Sequence, residues 1–589
     1  MTATVSRPAP TVTLSRRLPH TLLENELAPE PATTHLDQSL AILQTHKDDW
    51  VATGINERIA ILADIRRRLS AVGDRWVAAI LTAKGTTNDA FGVGEEWANF
   101  ALAQRWLRLL HRSLREIEHD GRPRLPGPLI TRSDRQVVAR VFPQTLADRL
   151  LFMGVAGEVW MQPGISREEV PARQAKAYQD KDHAGQVVVV LGAGNAAFML
   201  PEDGLHQLFI ADRVVLLKLN PVNAYLKTLL EEVLRPLLQR DFLRIVTGGV
   251  VEGDYLCSHP DVDAIHLTGC EKTFKSIVCG SGPEGRQRRT DHRPLLDKPI
   301  TAELGNVTPI IIVPGPWSAA NVREQALHLA TWLVLNAGCN CISERVIIQQ
   351  REWPLREPLL AAIGEVLTGV PTHPSYYSGS IERYADFMAT HPNARCYGDP
   401  RPGHLPWTLI PDVDSRNRED ICFTTEAFCS VVAETALPAG DAAEFLDQAV
   451  TFANETLWGT LGATILVHPR SLADPRVAAA LERAIVDLRY GTITINHWLG
   501  YGYYFGLSPW GGYPGHDISD IQSGIGIMNN ALMIDGAQKT VYRAPFHKLI
   551  DPYTVRSKRV AEFGRKLAHF DGDSSPGRFA GLLWTALRC

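Results

Sequence analysis

Two cysteines separated by one residue stand in the turn Gly338-Cys339-Asn340-Cys341, the closest pair among nine in the chain. A cysteine as its thiolate can attack a carbonyl carbon, ligate a metal or join a second thiol, whereas a buried structural cysteine does none of these. No metal site is expected, because the pair has no partner cluster at zinc spacing and the 19 histidines are dispersed. Nucleophilic chemistry is left, with Cys339 or Cys341 as the attacking sulfur, or a disulfide between the two under oxidation. A second motif, Gly192-Ala193-Gly194-Asn195-Ala196-Ala197, follows an apolar run and opens a helical pattern, as a dinucleotide fingerprint does. A standard site of that kind also ends the next strand in Asp or Glu, to hold the ribose hydroxyls. Here that strand runs into Lys218-Leu219-Asn220-Pro221, so a lysine stands where the acid belongs and the fingerprint counts as the weaker signal.

Further segments fit a different pattern. Val214-Val215-Leu216-Leu217-Lys218 is an apolar strand ending in lysine, with Asn195 lying 23 residues before it. Then come His259-Pro260-Asp261-Val262-Asp263-Ala264-Ile265-His266-Leu267-Thr268-Gly269-Cys270, Glu303-Leu304-Gly305-Asn306-Val307-Thr308-Pro309, the Cys341 turn, and Glu426-Ala427-Phe428. Asn454 to Gly462, Gly491 to Asn496 and Pro509-Trp510-Gly511-Gly512 complete the series. In type and order these stretches resemble the aldehyde dehydrogenase superfamily over about residues 40 to 515. The resemblance implies that Cys341 is the nucleophile, Glu303 the general base and Asn195 the oxyanion donor. It implies that Lys218, Gly269, Cys270, Glu426 and Phe428 bind the cofactor, NAD or NADP, with Cys270 replacing the usual serine.

Those roles make one reaction. A bare aldehyde carbon is a poor hydride donor, and a thiolate converts it to a tetrahedral adduct. The Asn195 side chain and the Cys341 backbone N–H would stabilise the oxyanion. Loss of hydride to the nicotinamide leaves a thioester intermediate on Cys341, and Glu303 would activate the water that hydrolyses it.

The sequence also departs from the family. The proline and glutamate that usually follow the cofactor lysine are replaced by Leu219, Asn220 and Pro221, which leaves the choice between NAD and NADP open. The Asn195 loop lacks its usual aromatic and proline flanks. Extra residues between Gly269 and Glu303, including Gly280 to Arg293, are predicted to form a surface loop. The interval from Cys341 to Arg345 is one residue short, and the tail beyond Gly512 outruns the family's usual end. These differences mark a distant subfamily and keep two rivals open. One is an acyl-CoA or acyl-thioester reductase of the same superfamily, which passes the thioester to a thiol. The other is a catalytically inactive structural paralogue.

The elements that must position these residues read as α/β. Ile55, Ile59, Leu62, Ile65 and Leu69 recur at helical spacing inside a pattern running from Leu36 to about Leu81. Another helix is expected over Trp97 to Leu114, a Pro/Gly linker over Gly121 to Pro128, and a strand over Val137 to Phe142. From residue 186 apolar runs alternate with helices: strands at Val187 to Leu191, Val214 to Leu217, Phe242 to Val246 and Ala264 to Leu267, and a helix over Tyr225 to Leu238. The texture continues with strands at Pro309 to Val313, Arg345 to Gln349, Ala463 to Val467 and Gly491 to Ile495, and a helix at Arg323 to Asn336. This alternation predicts two open, mainly parallel sheets with flanking helices; the resemblance adds a small oligomerisation flap. The expected division is a NAD(P)-binding domain with a helical arm over 1–305, a catalytic domain over 306–515 and a C-terminal extension over 516–589 supporting oligomer contacts. Residues 1 to about 35, rich in Pro, Thr and Ala, are read as a loose arm.

With 589 residues the chain is too long for one core. Its 45% hydrophobic and 21% charged residues are those of an ordinary globular protein. The net charge of -5 favours neither nucleic acid nor an anionic membrane, and the basic run Arg286 to Arg293 reads as a solvated loop. No apolar run is long enough to cross a bilayer, and the first 20 residues lack the apolar core of a secretory signal. Scattered cysteines of odd number argue against a disulfide framework. The expected setting is the cytoplasm, with a small aldehyde or acyl-thioester as substrate and a homodimer or homotetramer as the assembly.

Overall fold

The structure, a computed structural model, describes residues 33–180, 182–548 and 550–589. Nearly all of the arm read over 1–35, and the whole stretch searched for a secretory signal, lie outside the described residues. In chain order the strands are β1 (Leu129–Thr131), β2 (Val137–Phe142), β3 (Ala156–Met161), β4 (Val187–Leu191), β5 (Val214–Lys218), β6 (Leu243–Val246), β7 (Ala264–Thr268) and β8 (Ile300–Glu303). Then follow β9 (Thr308–Ile312), β10 (Glu344–Gln350), β11 (Arg395–Tyr397), β12 (Trp407–Val413), β13 (Val431–Leu437), β14 (Gly462–Leu466) and β15 (Thr492–Ile495). The last are β16 (Pro509–Trp510), β17 (Gly524–Ile525), β18 (Met528–Asn529) and β19 (Ala537–Arg543).

They form a six-stranded sheet in the order β17-β8-β7-β4-β5-β6 and an eleven-stranded sheet in the order β1-β2-β3-β19-β15-β14-β9-β10-β13-β12-β11. In the smaller sheet β8, β7, β4, β5 and β6 are all parallel. Helices cover both faces of such a sheet, which explains why Val187 to Val190 and Val214 to Leu217 are fully buried runs rather than alternating ones. The α/β fold with two parallel-rich sheets and flanking helices is therefore the one read from the sequence.

Three local features differ from expectation. The long pattern from Leu36 is two helices, Thr34–Ala52 and Ile55–Lys84, because Thr53 and Gly54 turn extended between them. Arg58 closes the end of the first helix by donating to the carbonyls of Trp50 (2.7 Å) and Thr53 (3.0 Å) and pairing with Asp212. Pro236 interrupts the helix expected over 225–238, which is built of three short pieces, since proline brings no N–H to the ladder. The surface loop read over Gly280 to Arg293 is instead largely a helix, Gly282–Thr290. Pro283 starts it, and Glu284 and Arg288 face each other one turn apart.

The strands nearest to a flap are β1–β3, but in this chain they are not separate. β19 runs parallel to β15 on one side and antiparallel to β3 on the other, so the antiparallel strands extend the larger sheet. In the other direction β17, from the C-terminal region, pairs with β8 and edges the smaller sheet. A cut at residue 305 thus parts β4–β8 from β9–β15, while β1–β3 and β17 each cross to the other side.

Candidate active site

Strand order creates the site. From β4 the chain moves outward to β5 and β6, then returns to lay β7 and β8 on β4's other flank. The carboxyl ends of β4 and β7 therefore border a topological switch point, where loops diverge and leave a crevice. Four parallel strands deliver the sequence-selected residues to that edge: Glu303 ends β8, Gly269 and Cys270 follow β7, Asn195 follows β4 and Lys218 ends β5.

Cys341 comes to the same place from the larger sheet, in the turn just before β10. Its thiol, partly buried, donates to Glu303 Oε1 at 3.7 Å. Burial and the carboxylates of Glu303 and Glu426 push this thiol well above its usual range. Glu303 is 3% exposed, and its Oε1 also accepts from the Trp510 indole at 2.8 Å while Oε2 has no partner among the described residues. Burial raises Glu303 to about 7, against the lowering effect of its hydrogen bonds from Trp510 and Cys341. A carboxylate poised there can hold or release a proton near neutral pH.

The turn carrying Cys341 is conformationally demanding. Asn336, Ala337 and Gly338 all have positive φ, at 53°, 54° and 74°. A Cβ on Gly338 would sit 2.2 Å from the Cys429 carbonyl oxygen, so only glycine fits. Buried Arg345 holds the turn by donating to the carbonyls of Gly338, Asn340, Cys429 (2.8 Å) and Val431 (3.2 Å). The Asn336 amide donates to the carbonyls of Asn195 (2.9 Å) and Cys339 (3.0 Å), and its oxygen accepts from Lys84 Nζ and Tyr376 Oη, each at 2.7 Å.

Asn195 is tied to the same turn, its Nδ2 donating to the Cys339 carbonyl at 3.0 Å. An amide nitrogen has two hydrogens, so one contact leaves a second donor. Asn223 occupies the carbonyls of Ala193 and Gly194, fixing the loop that resembled a dinucleotide fingerprint. Cys339 is 2% exposed, with its sulfur 3.5 Å from the Phe428 carbonyl, and burial raises its thiol too.

The remaining residues lie around the crevice. Lys218 donates to the Gly248 carbonyl at 2.8 Å, and burial lowers its pKa. Cys270 is exposed at the start of the helix Glu271–Cys279 and gives that end no side-chain cap, while Gly269 N–H donates to the Glu303 carbonyl. Lys218 at the end of β5 and the helix N–H groups after β7 lie on the same edge of the sheet, and each is a kind of donor suited to phosphates and ribose hydroxyls. Glu426 accepts from Asn306 N–H at 3.3 Å and is raised by burial to about 7. Its carboxylate lies where a Cβ on Gly305 would be, at 1.8 Å. Phe428 has φ 44° and meets the Tyr377 ring at 5.0 Å.

Sequence reasoning gave no role to Trp510, Arg345 or Asn336. Trp510 stood in a recognised stretch, but nothing local tells that its indole turns to Glu303 more than 200 residues away in the chain. A single charge in the apolar run Arg345 to Ile348 was a signal for Arg345, since a buried guanidinium needs hydrogen-bond partners. Among the described residues, His391, Asp420 and Cys422 bring ligand-type atoms within 4.8 Å of one another, a cluster their spacing had hidden. Asp420 there caps the helix Ile421–Thr424 and pairs with His391 at 3.2 Å.

Residues 154–390 match the sequence profile of the aldehyde dehydrogenase family. Aminoaldehyde dehydrogenase 2 of Solanum lycopersicum is 30% identical over 241 residues, which are 38% of this chain and 43% of the relative. The chain thus aligns with less than half of that relative's length. Among solved structures, a mutant of aldehyde dehydrogenase C of Pseudomonas syringae, complexed with NAD+ and octanal, superposes with a TM-score of 0.59 at 16% identity. That match covers 87% of this chain and 90% of the other. The glyceraldehyde-3-phosphate dehydrogenase of Methanocaldococcus jannaschii complexed with NADP gives a TM-score of 0.56 at 14% identity, covering 88% and 96%. Motif order and the profile over 154–390 liken this chain to the aldehyde dehydrogenase family at low identity, and its fold is that of the aldehyde dehydrogenase structures.

Proposed function

We propose that this protein oxidises an aldehyde to a carboxylic acid, with NAD or NADP as electron acceptor and Cys341 as nucleophile. The observation that carries the reading is the Cys341 thiol on the Glu303 carboxylate, beside Asn195, at the switch point of a parallel sheet. As the Cys341 sulfur attacks the carbonyl carbon, its proton passes to Glu303, whose pKa near 7 suits it to accept. The carbonyl oxygen becomes an oxyanion, held by the second Asn195 N–H and the Cys341 N–H. The nicotinamide, when bound, supplies the two-electron acceptor for the hydride that leaves the thiohemiacetal carbon. Glu303, once its proton has been lost to solvent, takes a proton from water, and the resulting hydroxide displaces the Cys341 thiolate from the thioester. The balance is aldehyde, water and oxidised cofactor giving acid, reduced cofactor and a proton.

Lys218 and the N–H groups after Gly269 would hold the cofactor's ribose and phosphates, with Glu426 and Phe428 near its reactive end. The unit built on β4–β8 is then the cofactor side and the larger sheet the catalytic side. Complexes of the two neighbouring proteins with NAD+ and NADP support this class of cofactor without choosing between its members.

The test is absorbance of reduced nicotinamide with purified protein, NAD or NADP and a panel of aldehydes, with and without coenzyme A. Reduced cofactor formed without coenzyme A, and lost in Cys341→Ser, supports hydrolytic oxidation. Signal only with coenzyme A would replace it by acyl transfer to a thiol, and cofactor that fails to bind would leave a non-catalytic paralogue.

A further inference from the structure

Three side chains outside the Cys341 site bring ligand atoms together. His391 follows the helix Ser380–Thr390, while Asp420 and Cys422 stand at the start of the short helix Ile421–Thr424. His391 Nε2 lies 3.2 Å from Asp420 Oδ1, 3.3 Å from Asp420 Oδ2 and 3.8 Å from the Cys422 sulfur. The three ligand atoms fall within 4.8 Å of one another. His391 is 8% exposed and Cys422 2%, so little water competes for these groups.

The imidazole is oriented through its other nitrogen. Nδ1 lies 3.1 Å from the Phe387 carbonyl, which can only accept, so Nδ1 carries a hydrogen. In the neutral ring the Nε2 lone pair then faces Asp420 and Cys422. The Thr390 hydroxyl, 2.9 Å from Nδ1, has its own acceptor in the same carbonyl at 3.2 Å. A histidine that donates from one nitrogen to a backbone carbonyl and offers the other is the usual arrangement at a metal. The alternative occupant is a second proton, on Nε2, which makes an ion pair with Asp420.

The spacing suits a tetrahedral ion. Bonds of about 2.0–2.2 Å to nitrogen and oxygen and about 2.3 Å to sulfur put nitrogen about 3.4 Å from oxygen and about 3.6 Å from sulfur. The observed separations of 3.2 Å and 3.8 Å fall within about 0.2 Å of these. The Cys422 N–H donates to Asp420 Oδ1 at 2.9 Å and so fixes the carboxylate. A thiolate, an imidazole and a carboxylate together select zinc-like ions over magnesium and calcium, which take oxygen ligands. The Asp420 side chain is 15% exposed, which leaves a way in for the ion and for a water as fourth ligand.

We propose that His391, Asp420 and Cys422 bind one zinc-class divalent ion, which clasps the end of the helix Ser380–Thr390 to the segment leading to Glu426 and Phe428. The same helix already holds that segment near its own start, where Arg383 donates to the carbonyls of Ala427 (3.0 Å) and Phe428 (3.1 Å). The ion is a second fastening at the other end of the helix. As it binds, the Cys422 thiol releases its proton to solvent, a metal–sulfur bond forms, and no electron changes hands.

In the test, the full chain is freed of metal and titrated with cobalt chloride, and the sulfur-to-cobalt charge-transfer band in the near ultraviolet is read. One equivalent carrying the band is expected, kept in Cys341→Ser and lost in Cys422→Ser. His391→Gln should raise the cobalt dissociation constant at least about tenfold. Asp420→Asn should weaken cobalt likewise and still fold, because asparagine caps a helix about as well as aspartate does. Zinc chloride should displace the cobalt, and should raise the melting temperature of the parent but not of Cys422→Ser. A band that survives Cys422→Ser, or that Cys341→Ser removes instead, overturns the proposal. So does a protein that takes up no cobalt, which leaves His391 and Asp420 as an ion pair alone. If Cys422→Ser and His391→Gln fail to fold, a cobalt affinity indifferent to Asp420→Asn overturns it equally.

Discussion

The Cys341 thiol rests on Glu303 Oε1 at 3.7 Å, joining the turn before β10 to the end of β8 and so the larger sheet to the smaller. Neither group suits its task alone. Burial and neighbouring carboxylates hold the thiol well above its usual range, and the Glu303 carboxylate is buried with one oxygen that has no partner among the described residues. Together they allow the proton to leave the sulfur as the new bond forms.

Asn195→Ala removes the amide that bonds the Cys339 carbonyl and has a second N–H to give. The expected loss in kcat is about 100-fold to 1000-fold, as for other oxyanion donors. KM for the cofactor should change little. A loss below about threefold in steady-state kinetics would take Asn195 out of the oxyanion site.

The pH dependence follows from Glu303. Its folded pKa of about 7 lies above the ordinary carboxylate value, so the residue is protonated below about 7 and able to act as base above it. Where hydrolysis limits turnover, kcat should rise with pH through about 7, and Glu303→Gln should remove that limb. The Trp510 hydrogen bond lowers this pKa, so Trp510→Phe should move the limb to higher pH. A limb that stays in place in Trp510→Phe would mean that it reports another group.

Gly338→Ala puts a Cβ against the Cys429 carbonyl at a residue of φ 74°. Strain of this kind costs on the order of 1–3 kcal/mol, and the steric overlap adds to it. The unfolding midpoint should fall, and the rate of Cys341 alkylation by iodoacetamide should change because the turn must shift. Wild-type stability and alkylation rate in this variant would contradict the geometry of the turn.

Arg105→Met should destabilise by about 3–5 kcal/mol, because it leaves Asp148 and Asp571 with less compensation in a buried setting. Urea unfolding followed by tryptophan fluorescence measures this. A cost under about 1 kcal/mol would mean that the network is not what fastens the C-terminal helices.

Much of this was legible in the sequence, for reasons that particular residues make plain. Val187 to Leu191 and Val214 to Lys218 are central strands of a parallel sheet, buried on both faces, and such strands must be continuous apolar runs. Glu303, Asn195, Lys218 and Gly269 sit at or just after strand ends, where short-range order survives as motif. What escaped depends on distant partners. β19 looks ordinary in sequence and takes its meaning from lying between β3 and β15. The helix Gly282–Thr290 is polar all round, with no apolar stripe to announce it. Gly94 and Gly564 stand where the helices Ala90–Asp120 and Val560–Gly572 cross, and nothing next to either in the sequence announces the other. The C-terminal helices they secure were read as an extension supporting oligomer contacts.

Passage of the acyl group through Cys341 is tested by intact and peptide mass spectrometry of Glu303→Gln quenched after mixing with aldehyde and oxidised nicotinamide. A thioester-sized mass increase is expected on the peptide containing Cys341, located on Cys341 rather than Cys339 and absent in Glu303→Gln combined with Cys341→Ser. Aldehyde turnover that proceeds with the adduct on Cys339, or with both cysteines unmodified throughout, would contradict it.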